Sequence, residues 1–229
     1  MQNSSGNPVV YFLTRHLLRG IFGSICTTKV SGRHFLPDQG PVILASNHIS
    51  HFDPPALSAI LSRSIDWMAM EELFENATIG GYLKMLGSIP INRHEGDTNS
   101  LRTAVKRLKA GHCIGIFPEG GLRAGETSVL EGAPFRQGTA ALSAISKAPI
   151  VPCVFLGTDR LYAARNWLRP RGTSLFVGLG EPILSSDREE IQLRLAAEFI
   201  AIKNQLISEF SLAPEDLPHT PQHRKGHDR

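Results

Sequence analysis

Short apolar runs alternate with amphipathic segments along most of this chain. Apolar runs of about four to eight residues between turn residues are typical of buried strands. Such runs are PVILAS at 41–46, IDWMAM at 65–70, SIPINR at 88–93, HCIGIFP at 112–118, PIVPCVFLG at 149–157 and SLFVGLG at 174–180. Helical patterns start at Asp53 and occupy 71–76, 79–87, 97–111, 134–146 and a long closing segment at 187–210. This alternation predicts an α/β fold, with a central, mostly parallel sheet flanked by helices and a long C-terminal helix.

The N-terminal stretch 9–25, VVYFLTRHLLRGIFGSI, interleaves apolar residues with Arg15, His16 and Arg19. No unbroken apolar run there approaches the roughly 20 residues that cross a bilayer, and a secretory signal would carry its positive charge before the apolar core. The pattern fits a helix lying in a membrane interface, and it fits equally a soluble amphipathic helix packed on the domain.

The chain divides into three parts on this basis. Residues 1–28 are expected to form an N-terminal amphipathic membrane-contact segment, and residues 29–211 to form the main domain. Residues 212–229 are polar and contain prolines and histidines, which predicts a disordered tail.

Composition places the chain among globular proteins. Of its 229 residues, 41% are hydrophobic and 20% are charged, which suits a single core. The formal net charge of +3 is a weak indication of anionic partners, and without a recognisable nucleic-acid module we expect no nucleic-acid partner. Cys26, Cys113 and Cys153 form no CxxC pair, which favours buried thiols in a reducing compartment.

The stretch NHISHFDPP at 47–55 gathers polar side chains at the end of a predicted strand. Asp53, before two prolines and the apolar ALSAIL, predicts a helix N-cap. His48 then lies on a strand-to-helix loop, where α/β sheets bind their ligands. If the Asp53 carboxylate turns back to one imidazole nitrogen, the other nitrogen can take a proton from an alcohol. The ordinary alternative is a helix cap beside a loop histidine.

Two further predicted strands end in polar residues. Arg93 ends SIPINR, and its guanidinium fork suits phosphate or carboxylate, with a surface salt bridge as the alternative. Glu119, Gly120 and Gly121 follow HCIGIFP, where glycine lets a ligand approach the backbone closely. The alternative there is a glycine turn with a solvated Glu119. The carboxyl ends of parallel strands meet at one edge of a sheet, so these loops are able to build one site.

His48, His51 and Asp53 also have the residue types of a metal site, which makes a metallohydrolase the rival enzyme. Zinc sites use three or four ligands, and no second His/Asp cluster follows at ligand-like spacing. We therefore expect no metal. A non-catalytic lipid-binding module is the third alternative, against which the intact His48 and Asp53 argue.

The segments NHISHFD, GSIPINR, FPEGG and IVPC, in this order, resemble the glycerolphosphate acyltransferase superfamily, most closely its 1-acylglycerol-3-phosphate acyltransferase branch. The resemblance covers roughly residues 30–185. It implies that His48, in the HxxxxD motif, is the general base and that Asp53 is its partner. It also implies that Arg93 holds the phosphate of the acceptor, and that Glu119 and Gly120 line the acceptor site.

One departure from the family pattern concerns Arg123. The family places an Arg after FPEG with one small residue between, whereas here Gly121 and Leu122 both precede Arg123. Whether Arg123 reaches the phosphate is therefore open. His51 matches a variable position and receives no catalytic part.

The resemblance implies an O-acyltransferase of phospholipid biosynthesis that needs no cofactor. Its co-substrate is a thioester, acyl-CoA or acyl carrier protein, and its acceptor is a lysophospholipid. Lysophosphatidic acid is the first acceptor, with glycerol-3-phosphate, another lysolipid or a glycolipid as alternatives. Because acceptor and product reside in a bilayer, the N-terminal membrane contact gains weight. The expected location is the cytoplasmic side of a membrane, with peripheral or monotopic attachment.

The segment DRLYAARNWLRPRG at 159–172 belongs to none of these motifs. It interleaves arginines with Tyr162 and Trp167, which suits a second membrane contact because aromatic side chains favour the headgroup level. A dock for an acidic acyl carrier protein is the alternative partner. A solvated connection whose aromatics pack on the domain is the ordinary interpretation.

Overall fold

The computed structural model describes residues 6–92 and 97–219, and within them seven strands form one sheet. The strands are β1 (Cys26–Ser31), β2 (Val42–Ser46), β3 (Ile65–Met70), β4 (Ile89–Ile91), β5 (Cys113–Ile116), β6 (Ile150–Leu156) and β7 (Thr173–Leu179). Their order is β1-β7-β6-β2-β5-β3-β4, and all neighbours are parallel except β6 and β7. The predicted α/β fold with a mostly parallel sheet is confirmed.

Helices cover both faces of the sheet. They are α1 (Pro8–Ile25), α2 (Asp53–Ile60), α3 (Ala77–Met85), α4 (Thr98–Lys109), α5 (Gly138–Ser146) and α6 (Arg188–Phe210). One core joins Ile43 and Ala45 to α4, α5 and α6, and the other joins Val42 and Leu44 to α1 and α2. Successive strand residues point to opposite faces, so a central strand such as β2 is buried at every position.

The edge strand β1 is not predicted by the sequence pattern. Thr27, Thr28 and Lys29 are exposed in it, so it lacks the apolar run that marks the central strands. It pairs with β7 alone, through a register that starts at Cys26 and Thr173. The predicted boundary at residue 28 therefore falls inside a strand of the sheet.

Helix positions follow the predictions with local differences. The long C-terminal helix is confirmed as α6, and the Asp187 side chain caps it by accepting the backbone N–H of Glu189 and Glu190. The predicted helix at 134–146 starts only at Gly138. The predicted helix at 71–76 is a short 3-10 helix, Glu71–Phe74.

Ordered chain continues into the predicted tail. Residues 212–219 include a 3-10 helix, Pro214–Asp216, and Leu212 and Leu217 pack against the core. Arg160 Nη2 lies 2.6 Å from Asp216 Oδ1. Residues 212–219 of the predicted tail are thus in contact with the domain, and residues 220–229 lie outside the described chain.

Helix α1 packs on the domain through one face and leaves an apolar face exposed. Tyr11, Phe22 and Ile25 are buried, whereas Val9, Phe12, Leu13 and Leu17 are between 58% and 64% exposed. Arg15 and Arg19 donate hydrogen bonds to carbonyls at the end of α2, of Leu61 and Ala59 respectively. Among the described residues, no helix is both long enough and apolar enough to span a bilayer.

Candidate active site

The loop after β2 carries His48 to the carboxyl edge of the sheet. His48 Nδ1 lies 2.8 Å from Asp53 Oδ2, so the structure brings together the pair that the sequence singled out. The Asp53 side chain is fully buried, while 17% of the His48 side chain is exposed. When Asp53 accepts the proton on Nδ1, Nε2 becomes the nitrogen that accepts a proton.

The Asp53 carboxylate does not cap the helix as predicted. Helix α2 begins at Asp53 itself, and the cap position is Phe52, which makes no side-chain cap bond. Asp53 Oδ2 instead accepts the backbone N–H of Ile49 at 2.8 Å and of Ser50 at 2.9 Å. The carboxylate thus folds back over the preceding loop and fixes its backbone as well as His48.

Thr158 holds the second oxygen of Asp53, which the sequence reasoning missed. Thr158 Oγ1 donates to Asp53 Oδ1, and both side chains are fully buried. Thr158 follows Gly157, whose φ is +98° and where a Cβ would lie 2.2 Å from the carbonyl oxygen of Ser174. Its position directly after a predicted strand was the available signal, since a single hydroxyl in a loop has no pattern of its own.

Asn47 and Glu119 fix the backbone on both sides of His48. Asn47 Oδ1 accepts the N–H of Phe155 at 2.7 Å and its Nδ2 donates to the carbonyl of Phe155 at 3.0 Å. Glu119 Oε2 accepts the N–H of His48 at 2.6 Å. The other oxygen, Oε1, accepts from Ser128 Oγ and Val129 N, both at 2.9 Å.

Glu119 lies behind the loop that carries His48. Burial raises the pKa of its carboxyl group, while hydrogen bonds from Val129, His48 and Ser128 favour the ionised form. It does not belong to the lining of the adjacent cavity, whereas Gly120 does. Glu119 thus supports the His48 backbone, and its place in the acceptor site stays a prediction.

A cavity of about 620 Å³ opens beside His48. It runs between α1, α3 and the ends of β3 and β5, and its walls are mostly apolar side chains such as Leu18, Trp67 and Leu86. Phe117 stacks on the His48 ring with centroids 4.0 Å apart and also on Trp67. Volume and lining suit an apolar chain that reaches the imidazole.

Of the two arginines that the sequence analysis considered for the acceptor phosphate, the structure describes Arg123 but not Arg93. Arg93 lies outside the described residues. Arg123 is exposed and lies outside the cavity lining, and its Nη1 donates to the carbonyl of Leu122 at 3.2 Å. Its backbone N–H donates to the carbonyl of His48 at 2.8 Å. Arg136, which the sequence reasoning passed over, lines the cavity instead.

The aromatic side chains of 159–172 pack on the loop that carries His48. Tyr162 Oη accepts the backbone N–H of His51 at 3.0 Å and lies 2.6 Å from His51 Nδ1. Trp167 donates its indole N–H to the carbonyl of Leu161 at 2.7 Å, and Phe52 packs against both rings. These contacts match the ordinary interpretation, and the second membrane contact and the carrier-protein dock stay predictions.

Metal binding and a nucleophilic thiol have little support among the described residues. No group of three or more His, Cys, Asp or Glu there could hold a metal ion. The cysteines are all buried as expected. Burial raises the pKa of Cys113 and of Cys153 to about 12, so neither thiol is a ready nucleophile.

Comparisons with known proteins place the chain in a family. The family model described as Acyltransferase matches residues 27–156. The chain is 32% identical over 184 residues to a 1-acyl-sn-glycerol-3-phosphate acyltransferase from Bacillus subtilis (strain 168), which covers 79% of this chain and 86% of that protein. A chloroplastic protein of that activity from Brassica napus is 26% identical over 173 residues, covering 69% of this chain and 48% of the relative.

A solved structure shares the fold. The crystal structure of the 1-acyl-sn-glycerophosphate (LPA) acyltransferase from Thermotoga maritima superposes with a TM-score of 0.64 at 20% identity. The match covers 90% of this chain and 80% of that one.

Proposed function

The chain belongs to the Acyltransferase family and is an O-acyltransferase, and from this we propose that it acylates the free hydroxyl of 1-acylglycerol-3-phosphate to give phosphatidic acid. The donor is a thioester, acyl-CoA or acyl carrier protein. The observation that carries the proposal is the His48–Asp53 pair, with its 2.8 Å contact, at the end of an apolar cavity. The names of the relatives from Bacillus subtilis and Brassica napus support this acceptor. Family membership argues against the metallohydrolase and the non-catalytic module.

The reaction needs no covalent enzyme intermediate. Nε2 of His48 takes the proton of the acceptor hydroxyl while that oxygen attacks the thioester carbonyl carbon. As the intermediate collapses, the C–S bond breaks and the leaving thiolate takes the proton from the imidazolium. The ionised Asp53 keeps the ring oriented and stabilises its positive charge. General-base assistance of this kind is worth about 10²- to 10⁴-fold.

The cavity would hold acyl chain beside the reacting atoms. Its apolar wall reaches from α1 to Phe117, and Phe117 touches the His48 ring. Burying methylene groups there contributes about 0.8 kcal/mol each. Arg93 remains a predicted contact for the acceptor phosphate, outside the described residues.

Attachment to a membrane completes the proposal. The exposed apolar face of α1 suits insertion into the interface, and α1 also lines the cavity through Tyr11 and Leu18. Lipid acceptor could thus enter from the membrane that α1 contacts. The protein would lie on the cytoplasmic side, attached peripherally or monotopically.

An acceptor panel tests the activity. Purified protein is incubated with labelled acyl-CoA or acyl carrier protein and with 1-acylglycerol-3-phosphate, glycerol-3-phosphate, other lysolipids and a glycolipid. Phosphatidic acid should be the main labelled product. A preference for another acceptor, or turnover that persists in a folded His48→Ala variant, would contradict the proposal.

Substitution tests the membrane contact better than truncation, because Phe22 and Ile25 of α1 belong to the core. Phe12→Glu with Leu17→Glu should release the protein from vesicles of anionic phospholipid while its far-UV spectrum is unchanged. High salt should weaken binding of the unaltered protein only partly, since apolar insertion is not screened. Vesicle flotation that is unaffected by both substitutions would argue against α1.

A further inference from the structure

Arg136 lies over the glycine turn that follows β5. A Cβ on Gly120 would lie 2.4 Å from Arg136 Nε and 2.9 Å from its Cδ. Gly120 also has φ of +66°, where residues with a side chain are strained. Glycine at position 120 is therefore the residue that lets the guanidinium lie against the backbone of the FPEG turn.

The titratable Arg and His side chains that line the cavity beside this guanidinium are all basic. Arg136 and Arg15 both line it, together with His48 and His51. Among the described residues that form the lining, none is acidic. Guanidinium groups that line a cavity favour an anionic group of the ligand.

The first turn of α5 adds donors at the same cavity. Gly138 and Thr139 line it, and the cap residue Gln137 makes no side-chain hydrogen bond to the helix. Helix N-termini carry partial positive charge and attract anions. Thr139 is 1% exposed, and its Oγ1 has no hydrogen-bond partner in the described parts of the chain. A buried hydroxyl in that state is suited to a ligand oxygen.

Arg123 differs from Arg136 in its position relative to the cavity. Both residues are exposed, but Arg123 does not line the cavity, and its Nη1 donates to the carbonyl of Leu122. Leu122 stands where the family places its arginine, so the chain lacks that guanidinium at the usual position.

We infer that Arg136, with the first turn of α5 and the Thr139 hydroxyl, binds the phosphate monoester of the acceptor in place of the arginine that Leu122 replaces. This inference rests on the proposed function and names a subsite of it. The same chemistry could take a phosphate group of acyl-CoA, so acceptor and donor are separated in the test.

Arg136→Gln and its matched control Arg123→Gln test the subsite in the full-length protein. With acyl carrier protein and with acyl-CoA as donors, Arg136→Gln should raise the KM for 1-acylglycerol-3-phosphate about 10- to 100-fold, because a charge-assisted contact is lost. The KM of either donor and turnover of neutral 1-monoacylglycerol should stay within about twofold, and Arg136→Lys should recover part of the loss. Arg123→Gln should match the unaltered protein.

Calorimetric binding of glycerol-3-phosphate separates this inference from the proposed function. Binding by the unaltered protein and Arg123→Gln, with loss in Arg136→Gln, supports the subsite even if acyl transfer to every acceptor fails. Equal binding by all three, or no binding by any, overturns it. It is also overturned if turnover is normal and both variants raise the acceptor KM equally, or if only the KM of acyl-CoA rises.

Discussion

Two buried aspartates in this molecule each hold a histidine, at opposite edges of the sheet. Asp53 meets His48 at 2.8 Å after the end of β2, and Asp66 meets His112 at 3.1 Å near the starts of β3 and β5. Both carboxylates are buried, at 0% and 2% exposure of their side chains. The pairs therefore look alike in composition, burial and bond length.

Their surroundings differ. Arg107 Nη1 lies 3.3 Å from the carboxylate of Asp66, so a permanent cation already compensates that charge. Besides His48, the side chain of Asp53 accepts hydrogen bonds from neutral donors among the described residues: the N–H groups of Ile49 and Ser50 and the Thr158 hydroxyl. His48 also lines the cavity, which His112 does not. An Asp–His pair becomes a candidate base where the imidazolium is the main compensating cation and where substrate can reach its other nitrogen.

The largest expected effect is that of His48→Ala. Removing the base should lower kcat by about 10³-fold or more while the fold is retained, because the ring is partly exposed and stacks on Phe117. Steady-state turnover with a circular dichroism control measures this. Activity within tenfold of the unaltered enzyme would remove the distinction between the two pairs.

Asp53→Asn and Asp66→Asn should separate catalysis from stability. Asp53→Asn should lower kcat by about 10³-fold, since the ring loses its anionic partner. Asp66→Asn should leave kcat within about twofold and lower the free energy of unfolding by about 1–3 kcal/mol, because Arg107 and His112 lose a buried charged partner. Urea denaturation and kinetics on the same samples check both. A catalytic loss in Asp66→Asn would contradict the comparison.

The sequence reveals the fold and the pair better than it reveals what supports them. Buried central strands such as β2 and β6 have apolar runs, and α6 has a clear apolar face, whereas the edge strand β1 is half polar and has no such signal. His48 and Asp53 are five positions apart, so their contact could be predicted from local geometry.

The supports of the pair come from distant parts of the chain. Thr158 is 105 positions from Asp53, and Glu119 is 71 positions from His48. Such contacts depend on how β5 and β6 flank β2, which no local pattern encodes. The cavity arginine was missed for the same reason: Arg123 is near the motif in sequence, but the arginine that lines the cavity beside the motif is Arg136.

Thr158→Val tests the neutral donors around Asp53, which contrast with the charged partner Arg107 of Asp66. Losing one neutral donor should lower kcat about tenfold, because Asp53 is held less firmly, and Thr158→Ser should restore most of it. The carboxylate, relieved of that donor, should stabilise the imidazolium more strongly. The acidic limb of the kcat/KM profile should therefore move to higher pH, which a merely structural role would not cause. An unshifted profile with reduced kcat would limit Thr158 to packing.

The smallest effect on activity is expected for His112→Ala, in the pair that resembles the candidate base most closely. Arg107 remains beside Asp66 in this variant, so the buried carboxylate keeps a cation and its charge stays compensated. The lost hydrogen bond should cost about 1 kcal/mol of unfolding free energy. Turnover should stay within about twofold, because His112 lies beside the start of β5, at the opposite end of that strand from Phe117. Combining His112→Ala with Arg107→Gln should cost more stability than the two single changes together, since the buried Asp66 carboxylate then loses both Arg107 and His112. Additive stabilities would show that Arg107 does not compensate this carboxylate, and a large loss of turnover in His112→Ala would give the second pair a part in the reaction.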